Sequence, residues 1–238
     1  MNRSRETGYD VNRLRRHVVF QRILARLAPQ QRWVLKGGYA LEVRLRVQAR
    51  ATKDLDLALL DSGPDLRDEL VEALSDDAGD GFGFEIRQAR RIAPADPENG
   101  AWRFSVTAML GGKEFASVVV DTVGQSDDLR EAIGQLVVAA PVTLPGLEPV
   151  TINVVDIPQH AAEKFHAIAR RYSGDRPSSR VKDLVDLVLM LEARLLPDPR
   201  LGERIAAVYA VRNNSAPAEL PDPPSAWRSE FAALAGDL

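Results

Sequence analysis

Two stretches of the chain, LKGGYAL at residues 35–41 and RATKDLDL at residues 50–57, decide the expected fold. The first predicts a short strand and a double-glycine turn that opens a helix, and the second predicts a strand that carries two aspartates. Because side chains alternate along a strand, Asp54 and Asp56 point to one side of it while the leucines beside them face the core. Two neighbouring carboxylates repel each other unless a cation lies between them, so the pattern indicates a cation site.

The residues around this aspartate pair indicate a site for a nucleoside triphosphate (NTP). Ligands that are all oxygen favour a hard metal such as Mg²⁺, which brings substrate phosphates with it. Gly37 and Gly38 let backbone N–H groups approach a phosphate at the N-terminus of a helix. Lys36 either faces that phosphate or ends its strand. Without a ligand, the same residues would form only a tight turn and an exposed strand end.

A third carboxylate, Asp121, follows the apolar segment FASVVV at residues 115–120. We expect this strand to lie beside the strand of Asp54 and Asp56 in the same sheet. Attack of a hydroxyl on a bound NTP needs a group that binds a second metal and lowers the pKa of that hydroxyl, and Asp121 is the candidate. The alternative is an aspartate that only caps a turn at the strand end.

The remaining pattern predicts an α+β fold in two parts, with a cleft between them in which a ligand would bind. Residues 1–155 are expected to form a lobe with a mixed sheet and an N-terminal helix, and residues 156–238 a C-terminal helical lobe. Helices are predicted at 10–27, 38–46, 65–74, 158–172, 180–196 and 199–212, and strands at 34–36, 55–60, 81–90, 102–110 and 114–123, with short strands within 142–155.

The composition excludes several classes of protein. The chain has no cysteine, so disulfides and thiolate metal sites are excluded. No apolar run approaches the ~20 residues that span a bilayer, so we expect no membrane partner. The N-terminus shows no secretory signal. We therefore expect a cytoplasmic protein, by elimination.

The net charge of −3 argues against a general nucleic-acid binder, but the basic residues are clustered. The clusters either line a local basic groove or form solvated helix faces, and the sequence leaves both readings open. Their members are Arg13, Arg15, Arg16, Arg22 and Arg26; Arg44, Arg46, Arg50 and Lys53; and Arg170, Arg171, Arg176, Arg180 and Lys182.

The order of these motifs resembles the nucleotidyltransferase superfamily of the polymerase-β type. The segments KGGYALE, TKDLDL, EKF and KDLVDL resemble its AbiEii/AbiGii branch, also called MenT-type toxins, and the likeness extends over residues 33–191. The resemblance implies a toxin that moves a nucleotide from a Mg²⁺-bound NTP to an RNA hydroxyl, the 3′ acceptor end of tRNA, and so blocks translation. It also implies a cognate antitoxin encoded nearby.

The resemblance further implies roles for two later motifs. Lys164, the lysine of EKF, would contact the triphosphate. Asp183 would be a functional acid that orients Lys164 or a substrate ribose, whereas Asp186 is expected to serve in helix packing or a salt bridge. Lys182 stands where arginine is common, which keeps the charge but loses bidentate geometry.

Four further residues receive expectations of their own. Arg176 and Arg180 are candidates for contacting the RNA acceptor or the nucleotide. His160 and His166 are expected on a helix surface. A separate hypothesis concerns Thr52: a phosphate or AMP on its hydroxyl would compete with the aspartates for the cation. The simpler interpretation is a β-branched residue that enters a strand.

Two other functions remain open at this stage. The protein could be a nucleotidyltransferase for a small-molecule or protein hydroxyl, which would not need the arginines at 44–50 and 170–180. It could also be a non-catalytic binder of nucleotide or RNA, in which replacing Asp54 and Asp56 would remove no phenotype.

Overall fold

The computed structural model describes residues 10–46, 49–60, 65–92, 100–124, 127–142, 146–171, 178–212, 215–217, 219 and 222–236. The elements in this part of the chain are α1 (Val11–Leu27), β1 (Trp33–Lys36), α2 (Gly37–Leu45), β2 (Asp54–Leu59), α3 (Leu66–Ser75), β3 (Phe82–Arg91), β4 (Ala101–Leu110), β5 (Lys113–Val123), β6 (Ile133–Val138), β7 (Val150–Val155), α4 (Ile157–Ala169), α5 (Val181–Glu192), α6 (Leu201–Val211) and α7 (Trp227–Gly236). Within the described residues, no helix is both long enough and apolar enough to cross a bilayer.

The strands form one mixed seven-stranded sheet in the order β3-β4-β5-β2-β1-β7-β6. β2 runs parallel to β5 and β1 runs parallel to β7, while the other neighbouring pairs are antiparallel. The expected α+β class is therefore confirmed, as is the expected position of the Asp121 strand beside the strand of Asp54 and Asp56. Because β2 is the central strand, its aspartates lie in the middle of the sheet and have a neighbouring strand on either side.

Helix ends and apolar faces explain how the elements form. The carboxylate of Asp10 caps α1 by accepting from the backbone N–H groups of Asn12 and Arg13, at 2.8 and 3.0 Å. The buried face of α1, which includes Phe20 and Ile23, packs in one core with the leucines of β2. Burying such side chains supplies the main favourable free energy of this lobe.

A second apolar cluster joins α2 to the C-terminal helices. Leu41 and Leu45 of α2 are buried together with Val185 and Leu187 of α5. These contacts cross residue 155 and fix α5 against α2. The division of the chain into lobes at residue 155 stays a prediction.

The structure differs from the sequence-based expectation in three places. The sequence pattern does not predict β6, which is an edge strand that pairs only with β7 and contains Gly134 and Gln135. An edge strand buries little apolar surface, so its sequence need not alternate. In the segment 142–155, the described residues form a single strand, β7, and the helix expected at 180–196 already ends at Glu192.

Two arginines of the first basic cluster, Arg22 and Arg26, do not lie on a solvated helix face, whereas Arg15 of the same cluster is exposed. Arg22 and Arg26 are each 3% exposed, and Arg26 places two guanidinium nitrogens 3.0 Å from the carboxylate oxygens of Asp80. Arg26 also donates to the carbonyl of Phe82 at 2.6 Å. Buried charges need such partners, so these arginines hold α1 to the start of β3 and are not available for nucleic acid.

Candidate active site

Four charged residues form a row across the sheet, because they are register partners on adjacent strands. We call this set the charge row: Lys36 on β1, Asp56 on β2, Asp121 on β5 and Arg103 on β4. Register partners point to the same face of a sheet, so two carboxylates lie side by side with a cation at each end. Asp54 extends the acidic part of the row, since it precedes Asp56 by two residues on the same strand.

The turn that opens α2 lies directly against this row. Gly37 has φ +61°, and a Cβ atom built on it would lie 1.9 Å from Oδ2 of Asp56. A Cβ on Gly38 would lie 2.8 Å from the hydroxyl of Thr52. Both positions therefore require glycine, and the backbone at the positive end of α2 approaches the carboxylates as closely as sterics allow. The sequence-based expectation of a glycine turn beside the aspartates agrees with this arrangement.

Burial and repulsion disturb the ionisation of Asp56. Burial, followed by the negative charges of Asp121 and Asp54, raises the pKa of Asp56 to about 6. Lys164 and Lys36 act in the opposite direction and only partly compensate. Ionisation of Asp56 therefore destabilises the metal-free protein, and a bound cation would offset this destabilisation.

Arg103 is a functional candidate that the sequence reasoning missed. Its Nε donates to Oδ1 of Asp121 at 2.7 Å and its Nη2 donates to Oδ2 at 2.5 Å, so both oxygens are engaged. This bidentate pair raises the pKa of Arg103 above its usual range.

Among the described residues, no group of three metal-ligating side chains stands close enough to hold an ion. The carboxylate oxygens of Asp54, Asp56 and Asp121 are ligands that suit Mg²⁺, but both oxygens of Asp121 accept hydrogen bonds from Arg103.

The predicted triphosphate lysine lies in a buried ionic network. Lys164 is 5% exposed, and its Nζ donates to Asp183 at 3.0 Å and to Asp186 at 2.6 Å. Arg50 donates to Asp186 from Nε at 2.7 Å and from Nη2 at 2.8 Å. Arg180 donates to Asp183 at 2.6 Å. Burial alone would lower the pKa of Lys164, but the two carboxylates raise it, so the ammonium stays charged.

This network accounts for both aspartates of the KDLVDL motif. The expected contact between Asp183 and Lys164 is present, and Asp186 forms salt bridges as the sequence indicated. Arg50 lines the larger of the two cavities described below, but Asp186 occupies its guanidinium. Arg44 is likewise engaged, since it donates to the carbonyl of Val155 at 2.5 Å. Neither arginine can be reversed in charge without breaking contacts of the fold.

Two cavities meet at this site. The smaller cavity, of about 330 Å³, extends towards Lys36, Glu163, Arg170 and Arg212. The larger cavity, of about 790 Å³, extends towards Thr52, Lys53, Arg103, Lys182 and Glu230. Both are bounded by a shared wall made of Gly37, Asp56, Asp121, Lys164, Arg180 and Asp183. The sequence-predicted site residues are therefore brought together between the sheet and the helices α4 and α5.

The two histidines of α4 are not on a helix surface, so that expectation is wrong. His160 is 1% exposed, and burial with the nearby charges of Lys164 and Arg44 holds its pKa well below the usual range. Burial lowers the pKa of His166 to about 4, and its ring packs edge-on against Tyr209 at 4.8 Å. Both imidazoles are neutral near pH 7 and belong to the wall of the smaller cavity.

Thr52 lies in the wall of the larger cavity, beside the aspartates. It is 7% exposed, its backbone N–H donates to Glu42 at 3.0 Å, and its hydroxyl donates to the carbonyl of Asp54 at 3.3 Å. Modification of this hydroxyl stays a prediction. Arg176 lies outside the described residues.

Comparison with known proteins gives one family match and several similar folds. Residues 19–238 match the family model described as nucleotidyl transferase AbiEii toxin, type IV TA system. No curated protein sequence matches the chain. A putative nucleotidyltransferase from Helicobacter pylori is similar at 14% identity, over 93% of this chain and 91% of that one, with a TM-score of 0.50.

Two further solved structures are similar at lower TM-scores. JHP933 from Helicobacter pylori has 14% identity over 93% of this chain and 88% of that chain, with a TM-score of 0.48. MenT4, a nucleotidyltransferase toxin from Mycobacterium tuberculosis H37Rv, has 20% identity over 98% of this chain and 87% of its own, with a TM-score of 0.44. At such identities the structural likeness concerns the fold alone.

Proposed function

Because the chain belongs to the AbiEii family of nucleotidyl transferase toxins from type IV toxin–antitoxin systems, we propose that it transfers a nucleotide from a Mg²⁺-bound NTP to an RNA hydroxyl. The acceptor in this proposal is the 3′ end of tRNA, and its modification blocks translation. The single observation that carries the proposal is the register that sets Asp56 opposite Asp121, directly against the Gly37 turn. A cognate antitoxin encoded nearby is the partner that the family implies.

The carboxylates have the chemistry for a divalent cation and for a base. Asp54 and Asp56 would hold Mg²⁺, with Asp121 as a further oxygen ligand, and the raised pKa of Asp56 reflects a charge that lacks its counter-ion. When bound, Mg²⁺ supplies positive charge that offsets the charge of the triphosphate. Asp121 takes the proton of the attacking hydroxyl. The hydroxyl oxygen bonds to the α-phosphorus, the bond from that phosphorus to the bridging oxygen breaks, and pyrophosphate leaves.

The shared wall of the two cavities supplies the binding groups for the triphosphate. Lys164 provides an ammonium held in place by Asp183 and Asp186, so little side-chain entropy remains to be lost on binding. The N–H groups at the start of α2, at Gly37 and Gly38, provide donors at the positive end of a helix. Both features stabilise negative charge as pyrophosphate departs.

The acceptor is assigned to the larger cavity on the basis of charge. Lys53 and Lys182 lie in its wall, and no residue in the described part of the chain forms an ion pair with either of them. Cations without partners favour an acceptor rich in phosphate, such as the end of a tRNA. A small neutral alcohol would gain little from them.

The direct test is transfer of label. Purified protein is incubated with total tRNA, Mg²⁺ and each α-³²P-labelled NTP separately, beside the variants Asp56→Asn and Asp68→Asn. Asp68 is exposed on α3, so its variant controls for the loss of one carboxylate. We expect label on tRNA with the native chain and with Asp68→Asn, and none with Asp56→Asn. Absence of label in all three, with NTP binding intact, would remove the tRNA acceptor.

The alternative acceptor, a small-molecule or protein hydroxyl, is separated by charge reversal at the mouth of the larger cavity. Lys53→Glu and Lys182→Glu are suitable, because neither side chain supports the fold through an ion pair to a described residue. Under the RNA proposal these variants lose transfer to tRNA but keep NTP binding. Unchanged labelling of tRNA would refute the assignment of the larger cavity, and labelling of another acceptor would favour the alternative.

A further inference from the structure

The two cations of the charge row are engaged differently. At one end, Lys36 turns to α4 and pairs with Glu163 at 2.7 Å. At the other end, Arg103 occupies both oxygens of Asp121, as described above. The row therefore holds one carboxylate, Asp56, without a direct ion pair among the described residues, and one carboxylate that is fully engaged.

The position of Arg103 depends on an irregularity in the β4–β5 hairpin. Near the turn, Leu110 pairs with Lys113, but the register shifts by one residue between Ala108 and Met109. Past this bulge, Arg103 is the register partner of Asp121. Bulges re-aim side chains in this way next to functional sites. Without the shift, the residue opposite Asp121 would be Trp102, which could not pair with a carboxylate.

A guanidinium in bidentate contact uses the same oxygens that a metal ion needs. Arg103 is 37% exposed at the wall of the larger cavity, so its side chain has room to move away from the sheet. With Asp121 engaged, the described residues contain no preformed three-ligand site, although Asp54, Asp56 and Asp121 are close in register. The arginine is thus a built-in counter-cation for the third carboxylate.

We propose that Arg103 is a positioning residue that holds Asp121 in the metal-free protein and competes with the divalent cation for it. The inference rests on the proposed metal site, and it adds a condition to the reaction. Asp121 can act on the attacking hydroxyl only after Arg103 has released it. Metal binding and the contact between Arg103 and Asp121 therefore weaken each other by the same factor, so that metal binding and release of Arg103 occur together.

The test is direct binding of Mn²⁺ to the full chain, by electron paramagnetic resonance or calorimetry, without NTP. Arg103→Gln should lower the apparent Kd for Mn²⁺ by about tenfold, the size expected from one competing charge-assisted contact. Arg103→Lys carries a point charge that cannot bridge two oxygens, so its apparent Kd for Mn²⁺ should lie between those of the native chain and Arg103→Gln. Arg90→Gln is the matched control, because Arg90 is exposed on β3 in register with Arg103.

A double-mutant comparison separates competition for Asp121 from a general effect of charge. In an Asp121→Asn background, Arg103→Gln should no longer strengthen Mn²⁺ binding. Unchanged or weaker binding by Arg103→Gln overturns the inference, and so does equal strengthening in the Asp121→Asn background or by Arg90→Gln. Melting curves confirm that each variant is folded. Transfer of label to tRNA is measured separately, so failure of the proposed function leaves a tighter Mn²⁺ site as an independent result.

Discussion

Replacing Asp56 with asparagine should abolish nucleotidyl transfer and at the same time stabilise the metal-free protein. The pKa of Asp56 is raised from its ordinary value of 3.8 to about 6, so the folded state binds its proton more tightly than the unfolded state does. The stability linked to this group is complete below pH 3.8 and is lost as the pH rises through 6. Integrated over pH, the loss is about 1.6 kcal/mol at about pH 5 and about 3 kcal/mol at about pH 8. Neutral asparagine of the same shape carries no such loss.

Urea unfolding with a chelator present measures this difference. The free energy of unfolding of Asp56→Asn should exceed that of the native chain by up to about 3 kcal/mol at about pH 8, and by about half as much at about pH 5. Asp68→Asn, at an exposed position on α3, should show no such trend. Mg²⁺ should stabilise the native chain and leave Asp56→Asn unaffected. A gain that does not depend on pH, or no gain at about pH 8, would refute the assignment of the cost to an ionised Asp56.

The remaining predictions concern the turn and the buried network. Gly37→Ala should abolish transfer and destabilise the fold by about 1 to 3 kcal/mol, because the added methyl group would collide with Asp56. Gly112→Ala, at a position with φ +76° and no atom near its Cβ, should cost only about 1 kcal/mol and keep activity. Transfer assays and thermal melting of both variants measure these effects. Lys164→Met should lower the free energy of unfolding by about 3 to 5 kcal/mol, since it leaves two buried carboxylates without their ammonium, and equal stability in urea would contradict it. Arg50→Met should destabilise the same network and lower the affinity for NTP, although Arg50 is not part of the shared wall that binds the triphosphate; titration with a fluorescent NTP measures this affinity.

The local parts of the site could be predicted from the sequence because each depends on a short pattern. The local geometry follows directly from three short patterns: two aspartates in alternation, a double glycine after a strand, and an aspartate after an apolar run. The pairing of β2 with β5 was within reach, since both strands are strongly apolar on their buried face. These patterns identify which residues form the acidic cluster.

The partners of those residues could not be predicted, because they come from distant positions or from irregular pairing. Counting back from the turn at residues 111–112 would set Trp102 opposite Asp121, and only the bulge in β5 brings Arg103 there. Similarly, Arg26 looks like one member of a basic cluster until Asp80 is found beside it in three dimensions. A count of charges along the chain does not distinguish a groove from a buried ion pair.

The order of the site residues along the chain has a consequence during protein synthesis. Asp54 and Asp56 leave the ribosome early, whereas Lys164 and its carboxylate partners on α5 are made much later and are fixed in place only when α5 packs on α2. A growing polypeptide therefore lacks part of the site until α5 has been made, and we expect fragments released before that point to be inactive. For a protein proposed to act on tRNA, we therefore expect activity only from chains that extend past α5.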